Sequence, residues 1–296
     1  MAAIIIDGKA VAAKIRSEIT DRVTRLKEKG ITPCLAMILV GDNPASLSYV
    51  KSKQKALTEA GMVGRDIRLP GRTSEEELFS VIASLNSDVS VHGILVQLPL
   101  PVHIREGFIL SALDPRKDVD CFHPFSTGKL LQGQPGILPC TPQGVVALLK
   151  EYKIPTSGSQ VVVIGRSNIV GKPLAVLLGR KELNSTVMIC HTGTVDLASQ
   201  TRRADILVVA AGKPGLIKGD MIKKGAAVID VGINRVPETA PVADGGSKKG
   251  YRLCGDVEFE EAVEIAGWIS PVPGGVGPMT IAMLMKNMVS VTEVYL

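Results

Sequence analysis

The chain has 296 residues, 45% of them hydrophobic but only 3% aromatic, and its 34 basic and 29 acidic residues leave a net charge of +5. That length admits two domains, the aliphatic excess suits parallel sheets covered by helices, and so small and scattered a charge surplus gives no footprint for nucleic acid; the densest basic cluster, Lys248-Lys249 with Arg252 nearby, reads as a solvated loop. Five widely spaced cysteines without a Cys-x-x-Cys pair argue for a reducing compartment and against zinc. Acids at Asp7 and Glu18 argue against a signal peptide, and no apolar run reaches the roughly 18 residues of a membrane span, so the reading is a soluble, cytoplasmic protein.

In chain order, Ile4 to Ile6 form a short strand before a turn at Asp7-Gly8. Val11, Ile15, Ile19, Val23 and Leu26 then recur every three or four positions, predicting an amphipathic helix over Lys9 to Lys29 that ends at Gly30. Leu35 to Val40 is a strand, broken by Gly41-Asp42-Asn43-Pro44. The helix at 45–61 places Tyr49 and Lys53, four apart, on one face. Alone they read as an exposed pair on a solvated helix; at the end of a βα turn, where ligands of such sheets collect, they become a candidate site. Val63 to Leu69 is a strand, and Ser74 before three glutamates starts a capped helix that ends near Asn86. Val91 to Leu98 is a central strand delivering Gln97 to its tip, just ahead of two stiffening prolines, where the amide either faces a ligand or caps the proline turn. After a short helix at 105–113 come Asp114, Asp118 and Asp120, whose spacing lacks the glycine turn and terminal glutamate of a calcium loop, so no metal is expected. A carboxylate held among Val119, Cys121 and Phe122 suits a ligand's N–H groups instead. Gly128 to Gly136 reads as loop or short hairpin, and Thr141 and Pro142 open a bridging helix to about Tyr152.

The stretch Val161 to Leu178 organises the second half. Four β-branched residues run into Gly165, and Gly171-Lys172-Pro173 leads an apolar run: a buried strand, a tight turn, and a helix whose first turn offers free N–H groups to an anion such as a dinucleotide pyrophosphate. The spacing is G-x-S-x-x-x-G, so the usual dinucleotide fingerprint is absent, and an ordinary glycine turn is the plainer alternative. The next strand, Thr186 to Cys190, ends at His191-Thr192-Gly193-Thr194 without the acid that an NAD site places there. Arg166 lies close enough to pair with a 2′-phosphate, which favours NADP over NAD. A helix at Val195 to Arg203, a strand at Asp205 to Ala210, a short helical segment at Asp220 to Lys224, a strand at Ala226 to Val231 and an acidic helix at Glu258 to Ala266 follow. Trp268 packs rather than binds. A Pro- and Gly-rich loop precedes a last helix from Thr280 to about Val294, expected to pack back on the first domain.

Together, Ser48-Tyr49-Val50 with Lys53, Gly93 to Pro101 around Gln97, Lys117-Asp118-Val119-Asp120, Pro139 to Pro142, Gly165 to Pro173, Asp230 to Asn234, Gly255-Asp256-Val257 and Pro271 to Thr280 resemble the bifunctional methylenetetrahydrofolate dehydrogenase/methenyltetrahydrofolate cyclohydrolase family. The resemblance implies an α/β fold of two three-layer domains with a cleft between them: residues 1–139 completed by 279–296 for the folate, and a Rossmann-like parallel sheet at 140–278 for NADP. It implies Lys53 as the catalytic lysine, Gln97 as its assistant, Tyr49 over the aminobenzoate part of the folate and Asp120 on the pterin. Pro271, Gly274 and Gly275 would flank the folate, and Gly165, Arg166, Ser167, Gly171, His191, Thr192 and Ile233 the coenzyme. It also implies a homodimer, no metal, and oxidation of 5,10-methylenetetrahydrofolate followed by hydrolysis to 10-formyltetrahydrofolate, with Lys53 as general base and acid.

Three positions depart from that family's habit: Cys121 where glycine is common, Gly193 where lysine is frequent, and Ser270 for threonine. A dehydrogenase without effective hydrolysis is one rival reading, against which Lys53 and Gln97 stand. An NADP-dependent oxidoreductase of a small hydroxy or amino acid would want its base in the nucleotide domain, and a noncatalytic binding protein has no use for so complete a set.

Overall fold

The computed structural model describes residues 2–237 and 250–294, so the Lys248-Lys249 pair lies outside the described residues. In order the elements are β1 (Ile4–Ile5), α1 (Gly8–Glu28), β2 (Cys34–Val40), α2 (Pro44–Glu59), β3 (Val63–Leu69), α3 (Glu75–Ser87), β4 (Gly93–Val96), α4 (Glu106–Ser111), α5 (Pro124–Leu131) and α6 (Cys140–Glu151). The second half adds β5 (Gln160–Ile164), α7 (Gly171–Leu178), β6 (Thr186–Cys190), α8 (Leu197–Thr201), β7 (Ile206–Val209), β8 (Ala227–Asp230), β9 (Asn234–Pro237), β10 (Tyr251–Cys254), α9 (Phe259–Ala262), β11 (Trp268–Ile269) and α10 (Val276–Glu293). The chain divides into two compact α/β units, Met1–Val11 with Thr141–Thr280, and Ala12–Cys140 with Ile281–Leu296.

The first unit carries a six-stranded sheet ordered β1-β11-β8-β7-β5-β6, with every pairing parallel. The β-branched runs predicted to be buried strands are buried on both faces. Val162, Ile164, Leu207, Val209 and Val228 join Ile217, Ala262 and Ile269 in one core, while Val163, Val208 and Ile229 are fully buried on the other side. Each such side chain contributes about 1.5–3 kcal/mol of burial. The chain leaves β5 for β6 on one side and then crosses to β7 on the other, so the tips of β5 and β7 form the switch point at which parallel sheets bind ligands.

The second unit is built on three parallel strands ordered β3-β2-β4. All seven residues of β2 are buried. Cys34, Ala36, Ile38 and Val40 face Leu78, Ile82 and Leu85 of α3 and Ile109 and Leu110 of α4. On the opposite face α10 crosses at Gly93, where an added Cβ would lie 2.4 Å from Met288 Sδ and 2.6 Å from Val119 Cγ1. The α3 start is the capping box expected at Ser74, with Glu77 N donating to Ser74 Oγ and Ser74 N to the Glu77 carboxylate.

Several elements differ from the sequence reading. Helix α5, which begins at Pro124 under His123, whose Nδ1 accepts from Phe125 N at 3.0 Å, runs through Leu131 into the start of the segment read as loop or hairpin, while 132–136 are turn and loop as read; a proline in first position outweighs the following glycine. Residues 1–11, read with the N-terminal domain, belong with the other unit because β1 pairs in parallel with β11. The helices predicted over 195–203 and 258–266 shrink to five and four residues, and α10 starts at Val276, ahead of Pro278 rather than after it.

Candidate active site

In the second unit, Gly41 closes the end of β2 and Asn43 caps α2, its Oδ1 accepting from Ala45 N at 2.9 Å and Ser46 N at 3.2 Å. This fixes the helix at the carboxyl end of β2 and presents Tyr49 and Lys53 one turn apart. Tyr49 is half-buried; Lys53 is only 8% exposed, and its Nζ donates to Gln97 Oε1 at 3.0 Å. Gln97 follows β4, its backbone N–H bonded to Ile38 O at 2.8 Å and its Nε2 donating to Leu98 O at 2.8 Å. The amide is thereby held at both ends, with its oxygen aimed at the lysine.

Asp120 completes the group. Segment 117–119 runs beside β4, with Ile94 N donating to Lys117 O at 2.8 Å and Ile94 bridging Asp118. The other charges of that motif are structural. Lys117, 3% exposed, donates from Nζ to Leu85 O and Asp88 O at 2.8 Å, capping the end of α3. Asp118, 1% exposed, accepts from Phe122 N at 3.2 Å and His123 N at 3.0 Å, which closes a turn holding Cys121 at φ +60°. Asp120 is half-buried. Burial raises its carboxyl, while the Lys53 ammonium and the Cys140 thiol pull it back. Cys140 keeps its proton, because burial and the neighbouring Asp120 charge push its thiol well up.

Two supports here escaped the sequence reading. Cys140 touches Asp120 and donates to Val119 O at 3.6 Å. Asn287 on α10, 3% exposed, donates from Nδ2 to Val119 O and to Leu138 O, both at 2.8 Å. Asn287 lies well over a hundred residues from what it holds, and no spacing rule points to it. The acids weighed for a metal are separated: Asp114 pairs with Arg116, Asp118 with backbone, and Asp120 faces Lys53. Among the described residues no group of three His, Cys, Asp or Glu side chains could hold a metal ion.

In the first unit the turn after β5 is closed by two glycines. A Cβ on Gly165, at φ +117°, would lie 2.3 Å from Ala210 O, and one on Gly171 would lie 2.0 Å from Gly165 O. The first turn of α7 corrects an expectation. Gly171 N is taken by Ser167 Oγ at 3.3 Å, Lys172 N by Ser167 O at 3.1 Å and Leu174 N by Val170 O at 2.9 Å, and Pro173 has no N–H. The helix start therefore offers no free donor, because the six-residue loop folds its own serine onto it. Arg166 and Ser167 remain exposed at the apex. The tip of the adjacent strand β6 carries His191, half-buried, with Nδ1 accepting from Gly193 N at 3.0 Å, and exposed Thr192. No carboxylate stands at that tip, so the cationic Arg166 side and the open β6 tip fit a 2′-phosphorylated dinucleotide.

Ile233, 41% exposed, follows β8, and its Cδ1 lies 3.3 Å from where a Cβ on Gly277 would stand. Pro271, Gly274 and Gly275 form one tight loop in which Gly275 N donates to Pro271 O at 2.8 Å and Gly274 sits at φ +118°. Ser270 uses the hydroxyl it shares with threonine: its Oγ accepts from Asp230 N at 2.8 Å.

Residues 6–120 match the tetrahydrofolate dehydrogenase/cyclohydrolase catalytic domain, and residues 139–295 the NAD(P)-binding domain of the same family. The chain is 55% identical over 289 residues to the bifunctional protein FolD of Syntrophus aciditrophicus, covering 97% of this chain and 96% of that one. Among solved structures it is similar to the bifunctional FolD of Campylobacter jejuni, at 49% identity and TM-score 0.92 with all of both chains covered. It is also similar to the methylenetetrahydrofolate dehydrogenase-cyclohydrolase of Trypanosoma brucei complexed with NADP and an inhibitor, at 41% identity and TM-score 0.93, covering 100% of this chain and 99% of that one.

Proposed function

The chain belongs to the tetrahydrofolate dehydrogenase/cyclohydrolase family, and from that membership we propose that it oxidises 5,10-methylenetetrahydrofolate with NADP+ and hydrolyses the resulting methenyl compound to 10-formyltetrahydrofolate. The observation that carries this reading is the bond between Lys53 and Gln97 beside the half-buried Asp120.

NADP+, when bound, supplies the hydride acceptor at C4 of its nicotinamide. Arg166, Ser167, His191 and Thr192 hold its phosphorylated adenosine half, Gly165 and Gly171 allow its backbone approach, and Ile233 packs on its other half. The folate's methylene carbon loses hydride without any side chain removing a proton, so the protein's work in that step is orientation. Asp120 accepts from the pterin N–H groups, and Tyr49 lies against the aminobenzoate ring. In the second step water adds to the cationic methenyl carbon and one of its two protons leaves to solvent with the positive charge; the bond from that carbon to N5 then breaks, and the remaining proton must move from the added oxygen to N5. Lys53 relays it, held in line by the Gln97 oxygen.

The protein is read as a cytoplasmic homodimer. None of the five cysteines forms a disulfide, which suits a reducing compartment, and among the described residues no helix is long and apolar enough to cross a membrane. The test supplies purified protein with 5,10-methylenetetrahydrofolate and NADP+ or NAD+ and follows reduced nicotinamide, methenyl and 10-formyl products together. Reduced NADPH with 10-formyl product ahead of the unaided hydrolysis supports the reading; methenyl that accumulates and decays at its uncatalysed rate leaves a dehydrogenase alone.

A further inference from the structure

Two buried carboxylates lie beneath the strand tips of the first unit and have no role in the chemistry above. Asp256 is fully buried and Asp230 is 4% exposed. Asp256 Oδ2 accepts from Ala211 N at 2.7 Å and Gly212 N at 2.8 Å, and its Oδ1 accepts from Asn234 Nδ2 at 2.8 Å. Asp230 Oδ1 accepts from Gly232 N at 2.9 Å and Asp256 N at 3.0 Å, and its Oδ2 from Val257 N at 2.9 Å. The two residues grip each other's loops: a Cβ on Gly232 would lie 2.3 Å from Asp256 Cγ, and one on Gly255 would lie 1.9 Å from Asp230 Oδ2.

The consequence is directional. In a trans peptide the N–H and C=O point opposite ways, so turning the Ala211 and Gly212 N–H groups inward onto Asp256 turns the Ala210 and Ala211 carbonyls outward. The Ala210 oxygen does face away, toward Gly165 in the coenzyme turn. Ala211 is exposed at the tip of β7, beside β5 at the switch point. We infer that Asp256 is a positioning residue for the coenzyme, holding the β7 tip so that the Ala211 carbonyl accepts from a donor of the nicotinamide riboside half. This rests on the coenzyme assignment made above and extends it to residues that do not themselves touch the ligand.

The test measures, by calorimetry, binding of two probes to the full chain: NADP+ and adenosine 2′,5′-bisphosphate, which lacks the nicotinamide riboside. Asp256→Ala weakens NADP+ roughly tenfold or more, as expected for losing charge-assisted bonds, and leaves the bisphosphate within about twofold. Asp256→Asn stays near native for both probes, because the Asn234 amide can turn over and accept from the new NH2 group while the remaining oxygen keeps the two backbone bonds. Gly232→Ala, whose Cβ would displace the Asp256 carboxyl while keeping its charge, gives the same split as Asp256→Ala and serves if that variant does not fold. Equal loss of both probes, loss of neither, or an Asn variant as weak as the Ala variant overturns the inference. Native protein that bound neither probe would remove the coenzyme assignment, and the inference with it.

Discussion

Asn287→Leu separates the support of the folate-side site from its chemistry. The substitution keeps approximate volume and removes one Nδ2 group that donates at 2.8 Å to both Val119 O and Leu138 O. Val119 O retains the weak Cys140 thiol at 3.6 Å, and Leu138 O loses its Asn287 donor. A buried polar group stripped of its partner costs about 1–3 kcal/mol, so the two carbonyls together cost about 2–5 kcal/mol, a large part of the stability of one domain. For a unit of this size that lowers its melting temperature by about 5–15 °C. Because Val119 directly precedes Asp120, the loosened segment also raises the KM for folate several-fold while NADP+ affinity, carried by the other unit, stays put. Thermal unfolding and steady-state kinetics with each substrate varied in turn measure both effects. An Asn287→Leu protein that melts within a degree of native and keeps its folate KM would refute the reasoning.

Other perturbations follow from the same geometry. Lys53→Gln should slow hydrolysis of supplied methenyltetrahydrofolate by roughly 100- to 10,000-fold, with NADP+ affinity within twofold; coincident pH profiles for native and variant proteins would remove Lys53 from proton relay. Gly193→Lys adds a cation beside Arg166 and should tighten NADP+ several-fold in a salt-dependent way. Its Cβ meets His191 Cε1 at 3.2 Å, so the ring must yield by a few tenths of an ångström, and unchanged binding between low and high salt counts against the phosphate assignment. Burial pushes the Asp230 carboxyl up to about 7 against the pull of its backbone N–H bonds. The folded chain therefore holds that proton more tightly than the unfolded chain, whose aspartates titrate near 4, and stability falls as pH rises from about 4 through about 7, by up to about 4 kcal/mol. Trp268, the only tryptophan and part of β11, reports this unit by fluorescence, and denaturant midpoints that do not drop between pH 5 and pH 8 would contradict the shift.

What was legible in the sequence was local. Tyr49 and Lys53 meet because they are four apart on a capped helix, Gln97 reaches its place because a four-residue buried strand ends beside it, and Gly165 is required by a turn written into consecutive residues. The helix start after Gly165 differs from the reading for an equally local reason: whether its donors are free depends on how the loop folds the Ser167 hydroxyl and carbonyl onto it, and the spacing between glycines does not carry that. The supports are of a different kind. Asn287 reaches Val119, Asp256 reaches Ala211, and β1 finds β11, each across a separation at which periodicity is silent. Yet each leaves a trace beside it, because a buried carboxylate bonded to backbone N–H groups needs room. Gly232 and Gly255 stand where the Asp256 and Asp230 carboxylates press on the main chain, so the glycine-aspartate alternation in Asp230-Val231-Gly232 and Gly255-Asp256 is the local shadow of a contact between distant segments. A glycine read as a turn signal can equally be the footprint of a side chain from elsewhere. The two readings part on φ: Gly165 and Gly274 need the left-handed region, whereas Gly232 and Gly255 do not adopt it and are held to glycine by the carboxylate above them.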